Sequence, residues 1–189
     1  MNNRLTVFLG VALAAAIIGG PASHAQLTPF AEYWENVARA AHQNDAAQVK
    51  SLVTNNRNPN QTDDDSRTGL HYAAMNGNLS IIAILVKASA NLNVKDKLGN
   101  TPLHWAADRN QPEAAQLLLD VGAAVDPENK NGMTPLMIAA SRGETTIVQA
   151  LLAKGANPRK SDYTGRDALG WAQEGHRPAV VEALRRGGK

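Results

Sequence analysis

The stretch GNTPLHWAA, residues 99–107, decides the fold because it returns at a fixed interval along the chain. The sequence reads GMTPLMIAA at residues 132–140, 33 positions later, and SRTGLHYAA at residues 66–74, 33 positions earlier. A degraded fourth copy, GRDALGWAQ, occupies residues 165–173. A single catalytic loop has no reason to recur four times, whereas self-similarity at such a period is typical of stacked repeats. The motif is therefore predicted to be architectural.

Each unit is predicted to contain two short helices and an extended connector. In the second complete unit, Pro102 follows Thr101 at the start of a helix, where the missing N–H of proline has no cost. The turn between the helices is expected near Asn110, and a second helix is expected over PEAAQLLLDV, residues 112–121. Gly122 is expected to end that helix in the left-handed conformation that glycine adopts easily.

This second unit, GNTPLHWAADRNQPEAAQLLLDVGAAVDPENK (residues 99–130), closely resembles the ankyrin repeat. It has the family's G-x-T-P-L-H-x-A-A opening, its leucine-rich second helix and its G-A-x-V connector start, and the resemblance extends over residues 66–188. The resemblance implies an all-α solenoid of stacked helix-turn-helix units with hairpin-like loops. In such a stack each unit buries its apolar face only against its neighbours.

The repeat pattern predicts one ankyrin repeat domain, residues 26–189, after an N-terminal leader. The N-terminal part of this domain keeps the apolar phase of the later units without the Thr-Pro-Leu-His opening, and the C-terminal part replaces that opening with Asp-Ala-Leu-Gly. The expected segments are a capping helix pair at 30–62, repeats at about 66–95, 99–128 and 132–161, and a degraded C-terminal capping repeat at 165–188.

The first 25 residues have the pattern of a secretory signal peptide. Arg4 gives a positive start, residues 5–18 are uncharged and mostly apolar, and small residues stand at Ser23 and Ala25, the two positions that a signal peptidase reads. A membrane anchor is the alternative, but the run is shorter than the roughly 20 residues that span a bilayer. Cleavage after Ala25 is expected, giving a periplasmic or secreted protein with no membrane association.

Composition narrows the class of function. The absence of cysteine removes disulfides, thiol catalysis and thiolate metal sites, and in an exported chain it favours a bacterial periplasm. The net charge of +2 is small, and no basic stripe interleaved with aromatic residues suggests nucleic acid as a partner. Nucleophile-elbow, zinc-protease and phosphate-loop motifs are also missing from the sequence. We predict a protein that is not an enzyme and has no cofactor or metal.

Two groups of residues have both a chemical and a structural interpretation. His71 and His104 occupy the same position in successive repeats. They could act chemically, as a metal-binding pair or a general base, or structurally, as rings that hydrogen-bond locally and hold the turn between units. Met137 at the equivalent position favours the structural interpretation, since a metal needs convergent ligands. Three consecutive acids, residues 63–65, resemble a cation loop but lack the spaced ligands of a calcium site, so a solvated loop tip is expected.

A second repeated position carries Tyr72, Trp105, Ile138 and Trp171. These large apolar side chains either form a ladder that a partner grips or fill the seams between consecutive units. The second interpretation is favoured because large apolar residues in short stacks are usually part of the core.

In the ankyrin family, partners are bound mainly by variable positions on a concave face made of hairpin tips and first helices. The resemblance places these positions beside the repeated glycine and late in each first helix. The candidate partner-binding residues are Asp64, Asp65, Arg67, Met75, Asn76, Lys97, Leu98, Asn100, Asp108, Arg109, Lys130, Asn131, Met133, Ser141, Arg142, Tyr163, Thr164 and Arg166.

The charge of these candidate residues changes along the chain, and three of those at the loop tips are apolar. The first two are acidic and the later charged ones mostly basic, which either steers an acidic partner towards the later units or is the scattered charge of an ordinary solvated surface. Leu98, Met133 and Tyr163 are expected to be exposed apolar side chains at loop tips, a feature of contact surfaces.

The sequence therefore predicts a monomeric, non-catalytic scaffold that binds another protein through its concave face and hairpin tips. Two other functions stay open. A small-molecule- or metal-responsive protective factor would need clustered histidines or a closed pocket. A secreted effector acting in a host cell would need an export pattern other than simple signal cleavage.

Overall fold

The computed structural model describes residues 36–187. The predicted signal peptide and the first residues of the predicted N-terminal cap lie outside this range. Ten helices and no strand are found within it, with two isolated β-bridges, and each helix is too short or too polar to cross a bilayer. In chain order the helices are α1 (Val37–His42), α2 (Ala46–Thr54), α3 (Gly69–Asn76), α4 (Leu79–Lys87), α5 (Pro102–Asp108), α6 (Pro112–Asp120), α7 (Pro135–Arg142), α8 (Thr145–Ala153), α9 (Ala168–Glu174) and α10 (Pro178–Gly187).

The helices form two layers. The first helices of successive units pack in one row, α1 on α3, α5, α7 and then α9, and the second helices α2, α4, α6, α8 and α10 pack in the other. Within each unit the two helices also contact each other. The prediction of an all-α solenoid of stacked helix-turn-helix units is confirmed.

Small and medium-sized apolar residues fill the space between units. The first helices bury pairs of alanines, such as Ala106 and Ala107 in α5, which allow close approach of neighbouring helices. The second helices bury a leucine at each repeat, for example Leu118 in α6. Because every unit buries these residues against its neighbours, the core is continuous along the stack.

Helix ends follow the repeated sequence signals. Thr101 is the N-cap of α5, with Pro102 in its first turn as predicted, and Gly122 follows α6 with a φ of +97°. In the last unit the carboxylate of Asp167 replaces the threonine as N-cap, accepting a hydrogen bond from the Gly170 amide at 2.7 Å. The degraded copy therefore keeps a working helix start.

Candidate protein-binding surface

Four loops connect the units, and we call them the tip loops: residues 63–67, 96–100, 129–133 and 162–166. Each is closed by its first side chain. In the second loop, Oδ1 of Asp96 accepts hydrogen bonds from the Leu98 and Asn100 amides, both at 2.9 Å, and the Asp96 amide donates to the Asn100 carbonyl. The same arrangement is present at Asp63, Asn129 and Asp162. Every tip loop therefore has one preorganised backbone shape.

Backbone hydrogen bonds also join the tip loops into a row. The Lys97 amide donates to the Asp65 carbonyl at 2.9 Å, and the Lys130 amide donates to the Leu98 carbonyl at 3.0 Å. The Tyr163 amide donates to the carbonyl of Asn131 at 3.1 Å. The side chains of these residues are consequently held at a fixed spacing along the stack.

Two buried histidines anchor this row to the first helices. In α5, Nδ1 of His104 accepts a hydrogen bond from the Thr101 amide at 3.1 Å, which leaves the proton on Nε2. Nε2–H donates to the Met133 carbonyl in the next tip loop at 3.0 Å. His71 makes the equivalent bonds to Thr68 and to the Asn100 carbonyl. The structural interpretation of both histidines is confirmed.

Burial controls the charge of these rings. Loss of hydration lowers the pKa of His104 to about 4 and also lowers the pKa of His71. Both rings are therefore neutral at pH 7, which suits one nitrogen that accepts and one that donates. Within residues 36–187, no group of three or more His, Asp or Glu side chains is arranged to hold a metal ion.

An aromatic side chain secures each tip loop whose first residue is aspartate. Nε1–H of Trp105 donates to Oδ2 of Asp96 at 2.9 Å, and the Trp171 indole donates to Asp162 at 3.0 Å. Tyr72 donates its hydroxyl proton to Asp63. In the remaining unit Ile138 has no donor, and its loop begins with the neutral Asn129. These pairs were not predicted from the sequence, although the nine-residue spacing between acid and aromatic residue is visible there.

The same aromatic residues lie next to arginines. The guanidinium carbons of Arg67 and Arg109 are 4.9 and 5.8 Å from the centre of the Trp105 ring, and Arg166 is 4.8 Å from that of Trp171. Trp105 is buried and Trp171 is half-buried. The favoured interpretation as seam-filling is correct for Tyr72 and Trp105, which are buried, while Ile138 and Trp171 pack against the core but are only half-buried.

Comparison with known families agrees with this architecture. A family model described as "Ankyrin repeats (3 copies)" matches residues 37–129 and 118–188, most of the chain. The chain belongs to the ankyrin repeat family. No curated protein matches it. Ankyrin repeats typically mediate binding to other proteins, and ankyrin repeat proteins are generally non-catalytic binding modules.

None of the eighteen candidate partner-binding residues is buried in the ankyrin repeat stack. Leu98 is 55% exposed and Tyr163 is 74% exposed, as expected of tip residues. The expectation that Met133 would be exposed is wrong, because its side chain is half-buried and packs against the core at the point where the chain leaves the loop for α7. The half-buried candidates are Arg67, Met75, Asn100, Asp108, Met133 and Ser141.

Ion pairs within and between units reduce the basic character expected of the later ankyrin repeats. Arg142 contacts Oδ1 of Asp108 through Nη2 at 2.5 Å, and Arg109 lies 3.6 Å from the same carboxylate group. Arg166 pairs with Glu174 at 2.9 Å. The structure thus brings Asp108, Arg109 and Arg142 together as one charge cluster on the first-helix row.

We expect the substitution Trp105→Phe to lower the free energy of unfolding by about 1–3 kcal/mol, because it removes a donor from the buried Asp96 carboxylate. Urea denaturation followed by circular dichroism measures the change. The matched variant Trp171→Phe should cost less, since that indole is half-buried and water can replace its hydrogen bond. Equal costs for the two variants would contradict this role for the buried pair.

Proposed function

We propose that this ankyrin repeat protein is an exported, non-catalytic module that binds a partner protein through its tip loops and first helices. The observation that carries the proposal is the row of tip loops, in which a shared hydrogen-bond pattern fixes the backbone while Leu98 and Tyr163 extend into solvent. Because the loops are already ordered, a partner would bind without the entropy cost of ordering them.

The apolar side chains at the tips favour protein as the partner. Large exposed apolar groups on a rigid surface are a common feature of protein contact sites. Tyrosine offers a large, amphipathic contact area at small conformational cost. The ring of Tyr163 also packs closely against Gly132. A Cβ atom at residue 132 would lie only 2.7 Å from the ring carbon Cδ1, so a residue with a side chain would displace the ring.

The proposal includes the place of action. The apolar N-terminal run and the small residues before position 26 support export and cleavage after Ala25, and the lack of cysteine supports a bacterial periplasm or an extracellular site. The exposed Arg185 and Arg186 at the end of α10 support a monomer, because charged residues on the outer face of this unit disfavour stacking of another copy.

The experiment that tests this function is affinity capture from periplasmic extract with chemical cross-linking. The bait is the mature chain, compared with the folded double variant Leu98→Ser with Tyr163→Ser. A matched control is available in Leu79→Ser with Val121→Ser, because these residues are also exposed but belong to the second-helix layer.

We expect the tip variant to retain about a tenth or less of the captured partner, because truncating a residue that is a hot spot costs about 2 kcal/mol or more. The control variant should capture the same amount as the native chain. Equal losses in both variants, or no protein captured by the native chain, would contradict the proposed function.

A further inference from the structure

The charges of the tip loops indicate which kind of polypeptide they hold. Building on the proposed function, we propose that the tip loops bind an extended acidic segment of the partner, with carboxylates against Lys97 and Lys130. Both lysines are exposed and occupy equivalent positions in consecutive loops. Their backbone amides are bonded to the preceding loop, so the two side chains leave the row at fixed points.

These lysine charges are not compensated nearby. Within residues 36–187 neither Lys97 nor Lys130 forms an ion pair, whereas Arg109 and Arg142 share Asp108, and Arg166 of the last tip loop pairs with Glu174. The acid beside Lys97 in the chain is Asp96, which is buried and accepts hydrogen bonds from two amides and the Trp105 indole. In the preceding loop the carboxylate of Asp65 is paired with Arg67 at 3.4 Å. The residue beside Lys130 is the neutral Asn129. The two ammonium groups therefore remain available for an external anion.

The spacing of the loops suits an extended chain. Packed helices lie roughly 8–10 Å apart, which sets the step between neighbouring units. A polyproline II segment repeats every three residues and rises about 9 Å per repeat. Carboxylates three residues apart would thus lie on the same side of such a segment, opposite both lysines. A polypeptide fits this step without being bent or stretched.

The two ends of the row set the order in which residue types follow one another along the segment, whichever way its chain runs. The first tip loop presents the exposed Asp64, which repels carboxylates and favours a basic residue, while the neighbouring Asp65 is paired with Arg67 at 3.4 Å. The last loop presents Tyr163, which favours an apolar or aromatic residue. The partner segment is therefore expected to carry a basic residue, two acidic residues and an apolar residue at intervals of three.

Fluorescence anisotropy with synthetic peptides tests this inference on the mature chain. The probe is labelled Lys-Pro-Ala-Glu-Pro-Ala-Glu-Pro-Ala-Phe, together with the peptide in reversed order, because the row does not define the chain direction. A charge-reversed twin has glutamate in place of lysine and lysine in place of glutamate. A single-stranded oligonucleotide represents polyanions of another class. The protein variants are Lys97→Glu with Lys130→Glu, and a control pair on the second helices, Lys50→Glu with Lys87→Glu.

We expect the acidic peptide to bind the native chain at least about tenfold more tightly than its twin, with the preference lost at high salt. The tip variant should prefer the twin instead, and the control variant should behave as the native chain. Equal binding of the acidic peptide to native and tip-variant protein would overturn the inference, and so would tighter binding of the oligonucleotide through the same lysines.

The two experiments together distinguish failure of the acidic-segment inference from failure of the proposed binding function. If Leu98 and Tyr163 are needed for capture of a partner while the charge of the peptide has no effect, the acidic-segment inference fails and the binding function stands. If neither a partner is captured nor a peptide bound, both are wrong.

Discussion

Replacing Gly99 with alanine is expected to lower the free energy of unfolding by about 2–5 kcal/mol. Gly99 has a φ of +80°, and a Cβ atom would lie 2.7 Å from the backbone nitrogen of Lys130 in the next tip loop. The substitution therefore combines a left-handed backbone, which costs about 1–2 kcal/mol for a residue with a side chain, with a steric overlap that only backbone movement relieves. Urea denaturation of the purified domain measures the loss.

A second glycine separates these two effects. Gly122 has a φ of +97°, but no atom lies within 4 Å of the position that a Cβ atom would occupy there. Gly122→Ala should therefore cost only the backbone term, about 1–2 kcal/mol. If both variants lose the same stability, contact between tip loops does not contribute in the way the structure indicates.

Lowering the pH from 7 to 4 is expected to remove about 3 kcal/mol of stability through His104 alone. Burial lowers its pKa from 6.5 to about 4, so between these values the unfolded chain binds a proton that the folded chain does not. Stability is therefore complete above pH 6.5 and decreases as the pH falls towards 4. His71 acts in the same direction, because burial also lowers its pKa. Chemical denaturation at several pH values measures the slope.

The double variant His71→Met with His104→Met is the control for this pH dependence. Methionine is compatible with the position, since Met137 occupies it in the following unit and is buried there. The variant should be less stable at pH 7 but nearly independent of pH between 6.5 and 4. Burial raises the pKa of Asp63 and Asp162, but hydrogen bonds to their carboxylates lower it further, so that the net shift is downward. Protonation of these acids therefore reduces stability mainly below pH 4. A native-like slope in the double variant would assign the effect to other groups.

The helices and their ends could be predicted from the sequence because the signals are local and repeated. Thr101, Pro102 and Gly122 begin or end a helix within one turn of their own position. The 33-residue period also provides four copies of the motif, so that equivalent positions can be compared. The roles of His71 and His104 followed from their shared phase. Local helix signals and repeat positions can be recognised without knowledge of the three-dimensional structure.

The side-chain pairs across units were harder to predict. The sequence shows that Arg142 is basic, but its pairing with Asp108, 34 residues away, depends on how two first helices lie against each other. The partial burial of Met133 likewise depends on the direction of the chain as it leaves a tip loop. Both features change the charge or exposure of the surface without changing the repeat pattern.

The most direct test of the binding surface is site-specific photo-cross-linking in cells that produce the protein. A benzophenone amino acid is placed at Asn131 or Thr164, which are exposed in the tip loops, and, as controls, at the exposed Lys50 or Lys87 on the second helices. We predict a discrete cross-linked protein adduct from both tip positions and none from the control positions. Adducts only from the second helices, or no adduct at any position, would contradict the proposal that the tip loops hold a partner protein.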